Sequence, residues 1–469
     1  MIDKLRPYSE TRPSGLPWLG EIPAYWDLRR AKRILKPTEL PVRPDDDIVT
    51  CFRDGQVTLR KNRRSNGFMI ALLEQGYQGV RVGQLVVHSM DAFAGAVGIS
   101  DSDGKCTPEY IVCDPRDPET LLTYYAWLLR YVARTQYILA AYPAVRERAP
   151  RLRYPDLGEL KLPAPPLDEQ RLIVRFLNWQ GGETAKLVRA KKKFIALLNE
   201  QKQAIIDRAV TRGLDPRAKL EPSGIPWLGD VPEGWDVKPL KHWAGINRRA
   251  LSQNTDPGYG FDYLDISTVG TGYLSSTPQR MRFEASPSRA RRIVRQGDTL
   301  ISTVRTYLKA IYHVDRPWPD LIASTGFAVL TPGPAIDARF FGFVLQSKTF
   351  VDQVVANSIG VAYPAISETR LGSLHICLPP SRHEQEEIIS HLRTATMDFD
   401  RSIEMSQREI ALIQEIRTRL ISDVVTGKLD VRAAAANLPE VVEIEPNDLG
   451  ESDELDEAIE AAENEEVAA

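Results

Sequence analysis

Two parts of the chain combine cationic side chains with hydrogen-bonding ones at close spacing. Residues 60–66 (RKNRRSN) hold four cations and three polar side chains, and residues 303–309 (TVRTYLK) interleave cations with a tyrosine. Arg can fork onto guanine edges and Asn onto adenine, while Lys suits phosphates. For any one cluster, a solvated charged surface explains the sequence equally well. Because such clusters recur in both halves of the chain, together they favour DNA binding.

The candidate DNA-contacting residues share positive charge, hydrogen-bonding capacity or an aromatic ring. Further basic pairs occur in the second half of the chain, at 248–249 and 291–292. A single sequence does not show which loops face a groove, so the whole set is a prediction. It comprises Arg60, Lys61, Arg63, Arg64, Asn66, Ser89, Arg248, Arg249, Arg291, Arg292, Thr303, Arg305, Tyr307 and Lys309.

The net charge of −3 conceals a basic body. The residues from Glu440 to the end include 13 acidic side chains and no Lys or Arg. The first 439 residues therefore hold 60 basic and 50 acidic side chains, a net charge of +10. A basic body of this kind suits a partner that is a polyanion.

Motifs that would support catalysis are missing or poorly spaced. The sequence has neither a Gly-x-x-x-x-Gly-Lys-Ser/Thr phosphate loop nor the Asn-Pro-Pro-aromatic motif of amino-methyltransferases. Asp156, Glu159 and Lys161 imitate a nuclease carboxylate cluster that holds Mg²⁺, but the spacing is short and the second half of the chain lacks it. Among the histidines only His383 and His391 form a pair, two helical turns apart. We expect no catalytic or metal site in this chain.

The elements that would position the candidate residues occur twice. Residues 13–27 (PSGLPWLGEIPAYWD) and 222–236 (PSGIPWLGDVPEGWD) are identical at ten of fifteen positions. A proline corner ending in Glu-Gln follows at 161–170 and again at 376–385, and the segments AVTRGLD and VVTGKLD form a third pair. All three pairs are separated by 209 to 215 residues. The chain is therefore a tandem duplication, and its function should depend on having two of something.

Within each copy a variable segment precedes a long helical arm. Short apolar runs bounded by glycines predict strands, and residues 120–141 predict a helix. The sequence therefore predicts an α+β fold: two α/β domains in a pseudo-twofold tandem repeat, with two long helical arms packing as an antiparallel coiled coil. The expected seam residues are Leu187, Phe194, Leu197, Leu198 and Ile205 in the first arm, and Phe399, Ile403, Ile410, Ile413 and Leu420 in the second.

The sequence lacks the features of a membrane or secreted protein. No apolar run reaches the roughly 18 residues that a membrane helix needs, and the N-terminus lacks the apolar segment of a signal peptide. The four cysteines show neither disulfide nor zinc spacing. From these features together we expect a cytoplasmic protein that does not contact membranes.

The predicted domain boundaries follow from the repeated elements. They give a first domain at 1–165, a central arm at 166–212, a second domain at 213–380, a distal arm at 381–432 and a disordered acidic tail at 433–469.

The repeated segments carry a resemblance to a known family. The doubled PSG-x-PWLG-x-x-P-x-x-W-D segment, the proline corner ending in Glu-Gln and the T-x-x-LD exit are similar to those of type I restriction–modification specificity subunits. GDTLISTVR at 297–305 and ASTGF at 323–327 also resemble stretches of that family's recognition domains. The match covers residues 1 to about 432. Gln84 departs from it where the family usually has Asp, and the acidic tail has no counterpart.

The resemblance implies a DNA-reading subunit without catalytic activity of its own. Two target-recognition domains would each read half of a bipartite site in double-stranded DNA, with the arms fixing the gap between half-sites. The chain would bind no cofactor. Two methylation subunits would carry S-adenosylmethionine and flip the target adenine, and restriction subunits would cleave with ATP and Mg²⁺. The alternatives are a coiled-coil scaffold that joins partners without reading DNA, and a stand-alone nuclease or methyltransferase with degenerate motifs.

Overall fold

The chain folds as two units. A computed structural model describes residues 5–63, 76–135, 137, 151–360 and 364–439. Within that part, the first unit holds the residues up to Ala190 and those from Arg408 onward, and the second holds Lys191–Gln407. The acidic segment 440–469 lies outside the described residues.

The first unit is built around a four-stranded antiparallel sheet in the order β4-β11-β8-β9. Helix α1 packs on β8 and β9, and it buries Tyr125, Leu128, Leu129 and Val132 at helical spacing. The elements of this unit are β1 (Thr11–Pro13), β2 (Glu21–Pro23), β3 (Asp27–Arg30), β4 (Leu35–Pro37), β5 (Val49–Cys51), β6 (Val57–Leu59), β7 (Gln78–Val80), β8 (Leu85–His88), β9 (Val97–Ile99), β10 (Gly104–Cys106), β11 (Tyr110–Pro115), α1 (Leu122–Arg134), α2 (Tyr154–Glu159) and β12 (Lys161–Ala164).

The first arm is a single helix, α3 (Leu167–Arg212), whose first half belongs to the first unit and whose second half belongs to the second. The glycine pair at 181–182 lies inside it.

The second unit repeats the frame of the first. Its sheet has the order β16-β23-β20-β21, position for position that of the first unit. A further sheet, β18-β17-β22-β19, corresponds to two strand pairs of the first unit, β6-β5 and β10-β7. A parallel bridge between Ile48 and Lys105 joins these pairs, as β17 pairs in parallel with β22. The elements are β13 (Leu220–Pro222), β14 (Asp230–Pro232), β15 (Asp236–Pro239), β16 (Ala244–Ile246), β17 (Gly260–Leu264), β18 (Gln279–Arg282), β19 (Ala290–Val294), β20 (Thr299–Ser302), β21 (Ile311–His313), β22 (Leu321–Ser324), β23 (Phe327–Pro332), α4 (Ala338–Gln346), α5 (Lys348–Ala356), α6 (Glu368–Ser373) and β24 (His375–Leu378).

The second arm, α7 (Arg382–Val425), begins in the second unit and ends in the first, where a short helix α8 (Arg432–Ala435) follows. Ala435 and Leu438 are buried in the same hydrophobic core as α1. This segment was expected to start the disordered tail, but its described residues up to Leu438 pack on the first unit.

In the first unit, the repeated tryptophan joins both arms. Trp26 Nε1 donates to Glu169 near the start of α3 at 3.1 Å, and the hydroxyls of Tyr8 and Tyr25 donate to the same carboxylate at 2.5 and 3.0 Å. Gly427, just past the end of α7, lies against the indole with φ +75, and a Cβ there would be 2.8 Å from the ring. Because the start of α3 and the end of α7 meet one side chain, the two arm segments run in opposite directions in this unit.

The second unit repeats this junction with the arms exchanged. Trp235 Nε1 donates to Glu384 near the start of α7 at 3.1 Å. Gly213, just past the end of α3, packs on the Trp235 ring. The ammonium of Lys202 also lies 2.5 Å from Asp400 Oδ1 between the two helices. Each unit is therefore completed by the first half of one arm and the second half of the other.

The glutamine beside each of these glutamates holds the arm to its domain. Gln170 Oε1 accepts from Leu121 N at 2.9 Å and its Nε2 donates to Glu119 O at 3.0 Å. Gln385 Oε1 accepts from Asp337 N at 2.8 Å. Both glutamines are about 2% exposed, so each joins the arm to the backbone before the domain helix. The Glu-Gln pair that marked the repeat is thus a structural joint.

The predicted seam holds for one arm and shifts in the other. In α7 all five predicted residues are buried or half-buried, with Ile403 at 9% and Leu420 at 5% exposure. In α3 the expected Leu187, Phe194 and Leu197 lie on the exposed side, at 47%, 48% and 49%. A continuous coiled coil along both arms stays a prediction. The half-buried row of α3 includes the predicted Leu198 and Ile205, together with Val188 and Ile195.

Candidate nucleic-acid interface

The turn between β20 and β21 in the second unit presents several predicted DNA-contacting residues. It spans residues 303–309, and Arg305 and Lys309 both have left-handed backbones, with φ of 53° and 52°. Such conformations cost on the order of 1 kcal/mol or more for residues other than glycine, so the surrounding structure must hold the turn in shape. Tyr307 is 50% exposed at its tip.

Two neighbouring loops hold this turn. Thr306 Oγ1 donates to Ser358 Oγ at 2.7 Å, and Val304 forms a β-bridge with Ala365. On the other side, Thr271 Oγ1 donates to the carbonyl of Lys309 at 2.7 Å. The turn 303–309 and the described residues of the loops 270–273 and 357–366 therefore form one surface, which we call the second-unit tip.

The tip contains two exposed side chains that are not among the predicted DNA-contacting residues. Ile359 is 72% exposed and Tyr273 is 44% exposed. Large apolar or aromatic side chains on a shaped loop can stack on or insert between bases. The Gly-Thr-Gly-Tyr sequence at 270–273 was a usable signal for a turn that carries an aromatic ring, whereas nothing local distinguished Ile359.

The other predicted cations of the second unit are mostly engaged within the protein. Arg292 pairs with Glu368 at 3.0 Å, and Arg291 lies 4.7 Å over the Phe283 ring. Arg248 is exposed, and its side chain folds back over Gly245. Thr303 donates its hydroxyl to Gly326 O at 2.9 Å. These residues line the domain surface, and their contact with DNA stays a prediction.

Arg249 supports the strand junction beneath. It lies 2.5 Å from Asp298, whose carboxylate also accepts from Arg295 N at 2.7 Å and Thr331 Oγ1 at 2.6 Å. The equivalent Gln84 accepts from Arg81 N at 2.8 Å, as Asp298 does from Arg295. The departure at Gln84 therefore keeps the turn but replaces the ion pair, and its Nε2 donates to Asp114 Oδ1 at 2.9 Å.

In the first unit the basic cluster begins beside the β5–β6 hairpin. Arg60 Nε donates to Thr50 Oγ1 at 3.2 Å, and Lys61 lies 2.5 Å from Asp47 with 65% of its side chain exposed. Arg63 pairs with Asp54 at 2.8 Å and stacks over Phe52. The remaining cluster residues, Arg64 and Asn66, lie outside the described residues.

Ser89 is poorly placed for DNA contact. It is 7% exposed, and its backbone joins Glu109 and Leu152 through hydrogen bonds of 2.8 and 2.9 Å. The neighbouring His88 pairs with Asp91 at 2.9 Å, and this hydrogen bond holds the pKa of the Asp91 carboxyl below its usual range. The segment is a packed loop whose serine faces inward.

Glu159, one of the three residues that imitated a nuclease cluster, has structural partners. Glu159 ends α2 and lies 3.0 Å from Arg30 and 2.5 Å from Lys32. The Lys32 hydrogen bond lowers the pKa of the Glu159 carboxyl. Across the described ranges, no group of three or more His, Cys, Asp or Glu side chains could hold a metal ion. All four cysteines are buried free thiols. Of the helices that the structure describes, none is long and apolar enough to cross a membrane.

The arm helices carry exposed apolar side chains in both units. In the first unit these are Leu187, Leu412 and Ile416. In the second unit they include Phe194, Leu197 and two methionines, Met397 and Met405, each at least 48% exposed. Exposed apolar groups in rows on a helix mark surfaces suited to further helices.

Comparisons with known proteins agree with the recognised motifs. No family model matches the sequence. The chain is 23% identical over 291 residues to the specificity subunit of the type I restriction enzyme MjaVIII of Methanocaldococcus jannaschii, covering 58% of this chain and 63% of that protein. It is 24% identical over 451 residues to a protein of the same organism provisionally named the MjaX specificity subunit, covering 88% of this chain and 96% of that one.

A solved structure shares the fold. A chain from a study of complex assembly and conformational transition of the type I R-M system superposes with a TM-score of 0.55 at 16% identity. The superposition covers 86% of this chain and 98% of that one. The α+β architecture with long helices, predicted from the sequence, is therefore confirmed.

Proposed function

Because this chain is a relative of the specificity subunits of type I restriction enzymes, we propose that it is the non-catalytic DNA-recognition subunit of a type I restriction–modification complex. Each unit reads one half of a bipartite site in double-stranded DNA. The arm helices set the gap between the half-sites. Methylation and cleavage take place in partner subunits that this chain directs to the site.

The observation that carries the proposal is the duplicated frame with different surfaces. The four-stranded sheets have the same strand order, and the Trp–Glu joints recur with matching distances of 3.1 Å. The parts that differ are the second sheet, which is continuous with longer strands in the second unit and consists of two short strand pairs in the first, and the loops around it. A protein that holds two unlike reading surfaces on like frames suits a DNA site with two unlike halves.

The second-unit tip is the part of the proposal with the most structural support. Its turn is braced on both sides by hydrogen bonds, so its side chains are preorganised for contact. Arg305, Tyr307 and Lys309 supply a fork for a base edge, a stacking ring and a phosphate contact. In the first unit the corresponding contacts come from Arg60 and Lys61 and the residues that follow them.

The exposed apolar rows on the arms support docking of two methylation subunits. Rows occur in each unit, so one chain offers two similar surfaces to two copies of one partner. Restriction subunits complete the complex. S-adenosylmethionine, ATP and Mg²⁺ belong to those partners, and this chain contributes no cofactor site to the proposed mechanism.

Base-resolved adenine methylation tests the function directly. Cells carrying this chain and its methylation partner are compared with cells lacking only this chain. We expect a split methylated motif that disappears with the chain. Methylation that persists without the chain would contradict the proposal and favour the scaffold hypothesis.

The reading surface is tested by Arg305→Ala. Loss of a forked contact to guanine should cost about 1–3 kcal/mol of base discrimination at a single half-site. Degenerate methylation at one position of that half-site, with the other half-site unaltered, is the expected result. Lys219→Ala, an exposed cation of the same unit outside the tip, is the matched control. An unaltered motif in the Arg305 variant would remove this residue from the interface.

A further inference from the structure

The first unit contains a pocket that the proposed function does not use. It lies between α1 and the C-terminal third of α7 and has a volume of about 560 Å³. Arg130, Arg134 and Arg419 line it, together with the rings of Trp127 and Tyr131. We call it the arginine pocket. One carboxylate, Glu415, also lines it, so cations outnumber anions there.

The positive charge of the pocket is poorly compensated. Among the described residues, neither Arg130 nor Arg134 forms a hydrogen bond with a carboxylate, and Arg130 rests on the Trp127 ring at 4.8 Å. Arg417 lies nearby on α7, and its Nε is buried without a hydrogen-bond partner. Burial, with the charge of Arg134 adding to it, lowers the pKa of Arg130 to about 10 and also lowers that of Arg417. Arg134 and Arg419 are exposed at the mouth of the pocket, where Arg419 also lies 3.8 Å from Asp423. Clustered cations that include desolvated members such as Arg130 are stabilised by an anion.

The chain itself provides an anion of suitable composition. The segment 440–469 holds 13 acidic side chains and no Lys or Arg. It follows Leu438, which is buried in the same hydrophobic core as Leu128, Leu129 and Val132 of α1. The helix that carries Arg130 and Arg134 therefore shares a core with the residue that precedes the acidic segment. At about 3.3 Å per extended residue, ten residues reach roughly 33 Å.

The walls of the pocket favour a peptide over a DNA phosphate. Trp127, Tyr131 and Ile421 contribute apolar surface beside the guanidinium groups. The acidic segment interleaves its carboxylates with Val441, Val442 and Ile444, among other apolar residues. Covalent attachment also gives the segment an effective concentration on the order of millimolar. We propose that the acidic segment 440–469 binds the arginine pocket of its own chain, with its carboxylates on the guanidinium groups.

The test uses the full chain with one reporter. Because the four native cysteines are buried, a dye on Ser452→Cys labels the acidic segment selectively. We expect high fluorescence anisotropy at about 50 mM NaCl that falls by about 500 mM, as screening weakens charge pairing. Arg134→Gln combined with Arg419→Gln should abolish most of this salt-dependent change. Lys219→Gln with Arg280→Gln, two exposed cations of the second unit, should preserve it.

Other outcomes would overturn the proposal. If the pocket variant keeps the full anisotropy change, the segment binds elsewhere. If the variant loses DNA affinity while its anisotropy is unchanged, the pocket takes a DNA phosphate instead. Circular dichroism of the variant checks that it is folded, and a synthetic peptide of residues 440–469 should compete with the labelled segment only when the pocket arginines are present. Because none of these readouts depends on sequence-specific methylation, failure here leaves the proposed function standing.

Discussion

At the scale of single residues, the positions that stood out in the sequence fall into two groups. Some are buried and stabilise the fold, and others are exposed and available to bind DNA. Glu169 and Gln170, which the sequence marked only as the end of a repeated proline corner, are buried and hold the first arm to its domain. Arg249 was selected for its charge, and the buried partner Asp298 lies 49 residues away in sequence. The sequence shows that a side chain is charged, but the residue with which it forms an ion pair depends on how the strands pair. The pairing becomes visible only in the fold.

His313 should make the second unit sensitive to acid. The ring lies against Gly342 of α4 with Nδ1 3.0 Å from Thr299 Oγ1, and burial lowers its pKa, although Asp315, Asp337 and Asp298 oppose the shift. The unfolded chain takes up this proton below about pH 6.5 while the folded chain resists it. Folding stability should therefore fall as pH drops below that value.

The expected result is a pH slope that depends on this one ring. Between about pH 7 and about pH 5, His313→Gln should lose less unfolding free energy than the wild type. Urea unfolding at each pH measures the slope. His383→Gln changes an exposed ring and should behave like the wild type. Equal slopes for the wild type and His313→Gln would show that the buried ring does not control the acid response.

At the scale of elements, the sequence predicted helices better than it predicted their contacts. Both arms are helical over almost the predicted spans, because apolar periodicity and the proline corners define them. The seam of α3 was misplaced at three of its five predicted residues because apolar residues occur in adjacent pairs there, as at 187–188, 194–195 and 197–198. Two rows one residue apart have the same period. Only the partner helix determines which row is covered.

The hydrogen bonds around Trp26 should contribute more to the free energy of unfolding than those around Trp235. Glu169 accepts from Tyr8, Tyr25 and Trp26, and burial together with this carboxylate raises the pKa of Tyr25 to about 12, so its hydroxyl remains a donor. Glu169→Gln would turn an NH₂ group toward these donors. We expect a loss of about 1–3 kcal/mol, seen as faster amide exchange in α1 and at the end of α7.

The matched variant is Glu384→Gln. This carboxylate accepts from Trp235 Nε1 and is more exposed than Glu169. Its replacement should have a smaller effect, confined to the second unit. Equal losses in the two variants would mean that the tyrosines contribute little to the first joint.

At the scale of the whole molecule, the duplication could be predicted from the sequence because the repeated Trp and Glu-Gln residues connect the arms to the domains. The exchange of arm halves could not be predicted, because the two repeats follow one another in sequence. In the structure, each unit contains one half of α3 and one half of α7. A fragment of residues 1–215 tests this exchange. It retains α3 and lacks α7, so its core loses Leu420, Val424 and Val425.

We expect this fragment to form a homodimer. The second half of α3 carries Ile206, Ala209 and Val210, which in the full chain are buried in the core of the second unit. The end of α7 is buried in the core of the first unit in the same way. In a dimer, each copy could supply that half to the other. Sedimentation should give twice the fragment mass, and Ile206→Asp should reduce it to the monomer. A stable wild-type monomer with a protected α1 would contradict the exchange.

The exchanged arms also fix the order in which the chain can mature on the ribosome. In the described part of the chain the second unit is one continuous stretch, Lys191–Gln407, which can fold once it has emerged. The first unit waits for the distal end of the chain, because the Tyr124 hydroxyl donates to Val425 O across 301 residues. The backbones of Arg6 and Asp430 also form an antiparallel β-bridge. At about 5–20 residues per second, that delay is roughly 15–60 s. The domain synthesised first is therefore the last to close, and during that interval its open core is a natural client for chaperones.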